Sequence, residues 1–460
     1  MSGSLLGSRR LGRRGAAAVC VLLGLLVLSS CQAQDRPAPK NVIVMIADGC
    51  GFQHVKAAGY YRYGDTGRLC YESFPVHLAM STFPAQSKGY DPAAAWHSFG
   101  YVMQGPTDSA AAATAMATGV KTLNGRIGVG PDDKDLPNFL EGAAQTGRST
   151  GVVTTVPLCH ATPAGFSTHD KARGNYAQLA KSMLLSSSLD VVMGAGHPLF
   201  DNNAQPLELP KEADKREARF RYVGGEETWK ALLAGTAGKD VDGDGKGDPW
   251  KLVQTRADFQ ALGQGATPSR VLGVAQVAET LEQGRTGDKK ADPYVVPMND
   301  AVPTLAEMTR AALNVLDDNP KGLSIMIEGG AVDSAAHANQ SGRMIEELLA
   351  FEDAVSEVVK WVESHGGWDQ TLLIVTCDHE TGYLTGPGSD PGWEPLVNNG
   401  IGKLPGMEWH YVSHTNSLVP FFAKGKGAER LVACATGQDP IRGAYLDNTD
   451  IAKTIFALLK

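Results

Sequence analysis

The chain has 460 residues, a formal net charge of −8 and 43% hydrophobic residues. This acidic balance argues against a nucleic-acid or anionic-membrane surface, since both need basic patches. The seven cysteines show no zinc-finger spacing and do not make a disulfide scaffold, and the length suits one large α/β domain with insertions or two smaller ones.

Arg9, Arg10, Arg13 and Arg14 precede the apolar run 16–28, which is short for a membrane span. Residues 1–30 therefore read as a signal peptide. Leu28-Ser29-Ser30-Cys31 has the form of a bacterial lipobox, in which cleavage leaves Cys31 as a lipidated first residue anchored to the membrane. Ordinary cleavage after Ala33 is the alternative. Arg9-Arg10 after Ser8 carries little weight as a twin-arginine signal, because short basic regions produce such pairs by chance. The expected location is the periplasm or cell surface. Residues 31–40 form a tether, polar and proline-containing over QDRPAPK, 34–40. Downstream, Cys50, Cys70, Cys159, Cys377 and Cys434 leave room for one or two bridges in an oxidising compartment.

NVIVMIA (41–47) is the first strand-like run, and it ends at Asp48. Thr82-Phe83-Pro84 has the look of a threonine-nucleophile motif but no helix signal follows it, so it reads as a decoy. In GPTDSAAAATAMATGVKTLNG (105–125), Thr107 and Asp108 are good N-caps and a small-residue helix follows to near Gly119. Ser109 falls in its first turn, where free N–H groups and the positive helix end favour an alkoxide and an incoming phosphate. A serine hydroxyl is a poor nucleophile until a base or a metal removes its proton. No histidine lies nearby in sequence and metal-ligand candidates are abundant, so metal activation is the better reading. An isolated TDSA would more often only cap a helix.

A helical pattern at 135–147 leads to the second run, GVVTTVPL (151–158), followed by His160 and Thr162. The stretch of about 198–300 is rich in Gly, Lys, Asp and Pro without long apolar strands, and reads as an insertion at the rim. Within it, Asp240, Asp242, Asp244 and Asp248 alternate with glycines like a calcium loop, but Lys251 at the twelfth position excludes a full EF-hand. A shorter calcium loop and a solvated acidic turn fit equally well. GLSIMI (322–327) ends at Glu328, with Asp333 and His337 close behind. A long helical pattern (342–367) precedes TLLIVTC (371–377), which ends at Asp378-His379, and a last helix covers 448–460.

Such continuous apolar runs suit buried parallel strands, alternating with helices. The expected fold is α/β: a large, mostly parallel central sheet flanked by helices on both faces, spanning 41–460. Open α/β sheets bind ligands beyond the carboxyl ends of their strands, so the four strand ends should converge. Together they supply enough ligands for a multi-metal phosphate site. His169, His197 and His410 match no motif and read as structural.

With these motifs in view, the chain resembles the alkaline phosphatase family, the zinc and magnesium phosphomonoesterases. The match runs in family order through ADG (47–49), TDSAAAATAMATGVKT (107–122), HATPAG (160–165), EGGAVDSAAH (328–337), TCDHETG (376–382) and HTN (414–416). The resemblance implies that Ser109 is the nucleophile that becomes phosphoserine. It implies one zinc on Asp48, Asp378 and His379, a second on Asp333, His337 and His414, and magnesium on Asp48, Thr162 and Glu328. Arg173 would clamp the phosphoryl group, with Asp108, Ser109 and His160 beside it. Mixed nitrogen and oxygen ligands suit zinc, and an all-oxygen set suits magnesium. Two departures stand out. His160 replaces an aspartate of some members and leaves the third metal's identity open, since imidazole suits zinc better than magnesium. Ser334 replaces a lysine or bulkier residue and should weaken phosphate binding.

The implied activity is hydrolysis of small phosphate monoesters with release of inorganic phosphate at alkaline pH, and family members are often homodimers. The alternatives are a phosphodiesterase of the same superfamily and a non-catalytic, metal- and phosphate-binding surface lipoprotein. Sulfatase chemistry is disfavoured, because Ser109 stands where a cysteine in C-x-P-x-R would be needed.

Overall fold

Residue by residue the run 41–47 is buried, as a strand covered on both faces must be, and it forms β1 (Asn41–Ala47) at the middle of an eleven-stranded sheet. The computed structural model describes residues 38–240 and 247–459. The expected signal peptide, Cys31 and most of the tether lie outside the described residues, as do Asp242 and Asp244.

The main sheet continues with β2 (Val76–Ser81), β3 (Ser149–Pro157), β4 (Val191–Ala195), β5 (Lys251–Val253), β6 (Val271–Val274), β7 (Leu323–Gly329), β8 (Thr371–Thr376), β9 (Val419–Gly425), β10 (Gly437–Asp439) and β11 (Gly443–Asp447). Their order is β10-β11-β2-β9-β8-β1-β7-β3-β4-β6-β5. Within this sheet, among the described residues, the antiparallel pairings are β8–β9, β9–β2 and β10–β11. The four strands expected from the apolar runs, β8, β1, β7 and β3, are neighbours, parallel and in level register. Ile46 pairs with Thr376 on one side and Glu328 on the other, and Glu328 pairs with Thr154. Level register brings all four carboxyl ends to one place.

The stretch 198–300 differs from its expected form as a rim insertion, because β5 and β6 extend the main sheet beyond β4. They are three and four residues long and one contains Gly273, so they leave no long apolar run in the sequence.

Eight helices matter to the site and core: α1 (Phe52–Tyr63), α2 (Ser109–Thr118), α3 (Phe139–Gln145), α4 (Ala161–Gly165), α5 (Leu305–Leu316), α6 (Ala331–His337), α7 (Ser341–Ser364) and α8 (Thr449–Leu459). All ten residues of α2 are buried, which its run of alanines permits. At its crossing with α4, a Cβ on Gly165 would stand 2.8 Å from Ala113 Cβ, so only glycine lets these helices approach so closely. Among the described residues, no helix is long and apolar enough to cross a membrane. The five described cysteines are free thiols rather than bridged pairs. His169 contacts the Gly128 carbonyl and Glu141, His197 contacts Gln254, and His410 contacts Thr385, in keeping with structural roles.

Candidate active site

Asp108 caps α2 with extended backbone (φ −102°, ψ 167°), and its Oδ1 accepts from the Ala111 N–H at 2.9 Å. Its other oxygen accepts from the Gly125 N–H at 2.9 Å and from Arg173 Nη1 at 3.0 Å. One carboxylate therefore fixes the helix start, the following loop and the guanidinium. Ser109, the first helical residue, is 1% exposed, and its Oγ lies 3.3 Å from His379 Nε2.

His379 joins two groups of ligand atoms. Asp48, Asp378 and His379 bring theirs within 4.8 Å of one another, as do Asp333, His379 and His414. His379 Nε2 lies 3.4 Å from Asp48 and 3.2 Å from Asp378. Its ring stacks on His414 with centroids 3.7 Å apart. His337, one turn after Asp333 on α6, reaches the second group, with Nε2 3.3 Å from Asp333 and 3.0 Å from His414 Nε2. A third group joins Asp48 and Glu328 with His160, while Thr162 is fully buried at the start of α4. All eight metal-ligand residues expected from the sequence thus belong to one assembly, together with Ser109, Arg173 and His160. Of the calcium candidates, Asp240 and Asp248 flank the undescribed segment 241–246.

The electrostatics show a site short of positive charge. Burial, followed by the charges of Asp378, Asp333 and Glu328, pushes Asp48 well above the ordinary carboxylate range. Burial likewise raises Asp378 to about 8 and Glu328 to about 7. Burial would raise Asp333 too, but the His337 hydrogen bond and the three nearby imidazoles outweigh it and hold that carboxyl low. The same bond raises His337 to about 9. Burial lowers His379, and His160 falls to about 4. Both oxygens of Asp48, Oδ2 of Asp378, Oε1 of Glu328, Oγ1 of Thr162 and Nδ1 of His160 are buried without a hydrogen-bond partner. Buried oxygens left unpaired cost free energy, and buried carboxylates need a counter-charge. Divalent cations satisfy both needs at once, so the donor set fits metal.

Several supporting residues carry no motif of their own. Thr154 on β3 donates to Glu328 Oε2 at 2.5 Å, and Thr381 donates to Asp333 Oδ1 at 2.6 Å and contacts His379 Nδ1 at 3.2 Å. The Thr107 and Val412 carbonyls hold the Nδ1 atoms of His414 and His337 at 2.9 and 2.7 Å. Such partners fix the tautomer and aim the other ring nitrogen at a metal. The signal for Thr154 was a pair of threonines in an otherwise apolar run, and Thr381 lay inside the TCDHETG motif. Asp108, Ser109, Asn124, His160, Arg173 and Ser334 line an open cavity of about 540 Å³ over these groups.

The sequence model described as alkaline phosphatase matches residues 39–419. Alkaline phosphatase 4 of Bacillus subtilis is 31% identical over 386 residues, covering 80% of this chain and 68% of its own. Streptomycin-6-phosphate phosphatase of Streptomyces griseus is 29% identical and the alignment covers 97% of each chain. Among solved structures, a cold-active alkaline phosphatase from Shewanella sp. superposes with a TM-score of 0.63 at 25% identity, covering 91% of this chain and all of the other.

Proposed function

Because the chain belongs to the alkaline phosphatase family and is a metal-dependent phosphomonoesterase, we propose that Ser109 is its nucleophile and Arg173 its phosphoryl clamp. The observation that carries this reading is the Ser109 hydroxyl at the start of α2, 3.3 Å from a histidine that sits between two sets of ligand atoms.

Two zinc ions would be held by Asp48, Asp378 and His379 and by Asp333, His337 and His414, and magnesium by Asp48, Thr162 and Glu328 with His160 alongside. Bound there, such ions stabilise anionic oxygens and lower the pKa of a hydroxyl or a water. Ser109 Oγ gives up its proton to solvent water and attacks phosphorus in line. The guanidinium of Arg173, braced by Asp108, grips two phosphoryl oxygens through paired N–H donors and keeps its charge at any working pH. N–H groups of the first turn of α2 add partial positive charge where negative charge gathers. The alkoxide of the ester leaves on the side of Asp333, His337 and His414 and takes up a proton from solvent. Water then loses a proton as it attacks the phosphoserine from that side; inorganic phosphate is released and Ser109 Oγ regains a proton. Positioning and charge neutralisation thus carry most of the catalysis, as is general for phosphoryl transfer.

The basic n-region, the apolar run and Cys31 support export and lipid anchoring of this enzyme. Replacing Cys31 by alanine should release it from membranes into the soluble fraction. Metal analysis alongside p-nitrophenyl phosphate turnover, with EDTA and metal add-back, tests the catalytic reading. Two zincs plus magnesium per chain, with activity lost and restored together, is the expected result. Bound metal with hydrolysis of bis-phenyl phosphate alone would favour the diesterase instead.

A further inference from the structure

Beside the short segment Glu380–Thr381, which pairs with His414–Thr415, lies a second cavity of about 280 Å³. Five aromatic rings line it, Phe52 from α1, Tyr90, Trp96, Tyr383 and Trp393. The polar ends of these rings are already engaged. Trp96 Nε1 donates to Asp439 at 3.0 Å, the Tyr90 hydroxyl donates to the same carboxylate at 2.7 Å, and Trp393 Nε1 donates to the Tyr383 hydroxyl at 2.9 Å. What the rings leave to the cavity is therefore apolar surface, suited to stacking.

Four charged groups, Lys56, Glu380, Glu394 and Arg442, also line the cavity, and of these Arg442 lies on the aromatic walls. The guanidinium of Arg442 lies 4.2 Å from the centre of the Phe52 ring and 5.7 Å from that of Trp96. Among the described residues it donates no side-chain hydrogen bond and makes no ion pair. Asp439 is the chief counter-charge, but its oxygens accept from Tyr90, Trp96 and the backbone N–H groups of Ile441 and Arg442. Burial disfavours the charged form of Arg442. A guanidinium held on aromatic faces, its donors not engaged by protein groups, matches a planar anionic group that takes two parallel hydrogen bonds. Two cations, Lys56 and Arg442, face two carboxylates, Glu380 and Glu394, at the same cavity, and this balance disfavours a second negative charge on the occupant.

We propose that this cavity is a second ligand site that binds a small planar aromatic monoanion, an aryl carboxylate or sulfonate, with its ring among the aromatic walls and its anionic group on Arg442. The site is separate from the phosphate cavity but adjoins it through Glu380, whose Oε2 accepts from Thr415 Oγ1 at 2.5 Å, next to His414. An occupant therefore leans on the segments that carry His379 and His414.

The probe is naphthalene-2-sulfonate, titrated calorimetrically into the metal-loaded full chain with its active site saturated by inorganic phosphate. One saturable site per chain is expected. Arg442→Gln should weaken it about tenfold, or about 1.4 kcal/mol, while leaving the affinity for neutral 2-naphthalenemethanol unchanged. Ile441→Glu places a negative charge at the rim on a residue that is 64% exposed, so it should fold normally and also weaken the sulfonate. Absence of saturable binding at millimolar probe would overturn the proposal. So would displacement of the probe by phosphate, or equal sulfonate affinity in wild type and both variants.

Discussion

Gly49 joins β1 to α1 in a left-handed conformation, φ +71°, between two ligand carboxylates. Its N–H donates to Asp378 Oδ1 at 3.0 Å, and its carbonyl accepts from the Thr381 N–H at 3.0 Å. A Cβ at this position would stand 2.6 Å from Asp333 Oδ1 and 2.7 Å from the Asp333 backbone Cα. Carbon contacts settle at about 3.5–4.0 Å, so Asp333 must retreat by roughly 1 Å in Gly49→Ala. The backbone conformation alone costs about 1–2 kcal/mol with a side chain. A displacement of about 1 Å at a catalytic group costs on the order of 100-fold in rate. Gly49→Ala should therefore fold, lose metal from the Asp333, His337 and His414 set, and lose about 100-fold in turnover. Gly443→Ala is the matched control, since its φ is +77° but nothing lies within 4 Å of an added Cβ. It should carry only the conformational cost and keep full activity. Thermal melts, metal analysis and p-nitrophenyl phosphate kinetics on both variants decide the matter. Equal metal content and turnover in the two would refute the argument that Gly49 makes room for Asp333.

Ser109→Ala should abolish most turnover while metals stay bound, whereas Asp378→Ala should empty a metal site; elemental analysis showing equal metal loss in both would contradict that division. Ser334 lines the phosphate cavity without charge, so Ser334→Lys should tighten inhibition by phosphate, and a weaker inhibition constant in the variant would count against it. Burial, then Glu282 and Glu346, raises the buried Glu347 carboxyl from 4.5 to about 8, and its Oε1 has no partner. Below pH 4.5 both folded and unfolded states hold this proton; between 4.5 and about 8 only the folded state does, so stability falls as pH rises through that window. Glu347→Gln should thus stabilise by a few kcal/mol at pH about 9 and by little at pH about 5. Denaturant melts giving the same difference at both pH values would refute this.

Much of the candidate site was legible because the residues expected to bind metal follow the continuous apolar runs of neighbouring parallel strands. That Asp48, Glu328 and Asp378-His379 come together needed only the rule that such strands gather their carboxyl ends. Asp333 and His337 share a helical turn, and their i, i+4 spacing already placed them together. The sequence was silent where chemistry depends on distances between loops. His379 lies within reach both of Asp48, at the end of the neighbouring strand, and of Asp333 on α6, and no spacing encodes where that helix sits against the strand ends. Thr154 and Thr381 looked like ordinary strand and loop threonines until their hydroxyls met Glu328 and Asp333. β5 and β6 escaped notice because strands this short leave no periodicity to read. The aromatic cavity draws on segments around residues 52, 90, 96, 383, 393 and 442, whose association only the fold creates.

The central claim is that a phosphoryl group passes through Ser109. Its most direct test is acid quenching of the metal-loaded enzyme during turnover of a phosphate monoester, followed by peptide mass spectrometry. The account predicts phosphoserine at Ser109 in the peptide that begins α2, and none in Ser109→Ala. A phosphoryl group trapped on another residue, or undiminished turnover in Ser109→Ala, would contradict it.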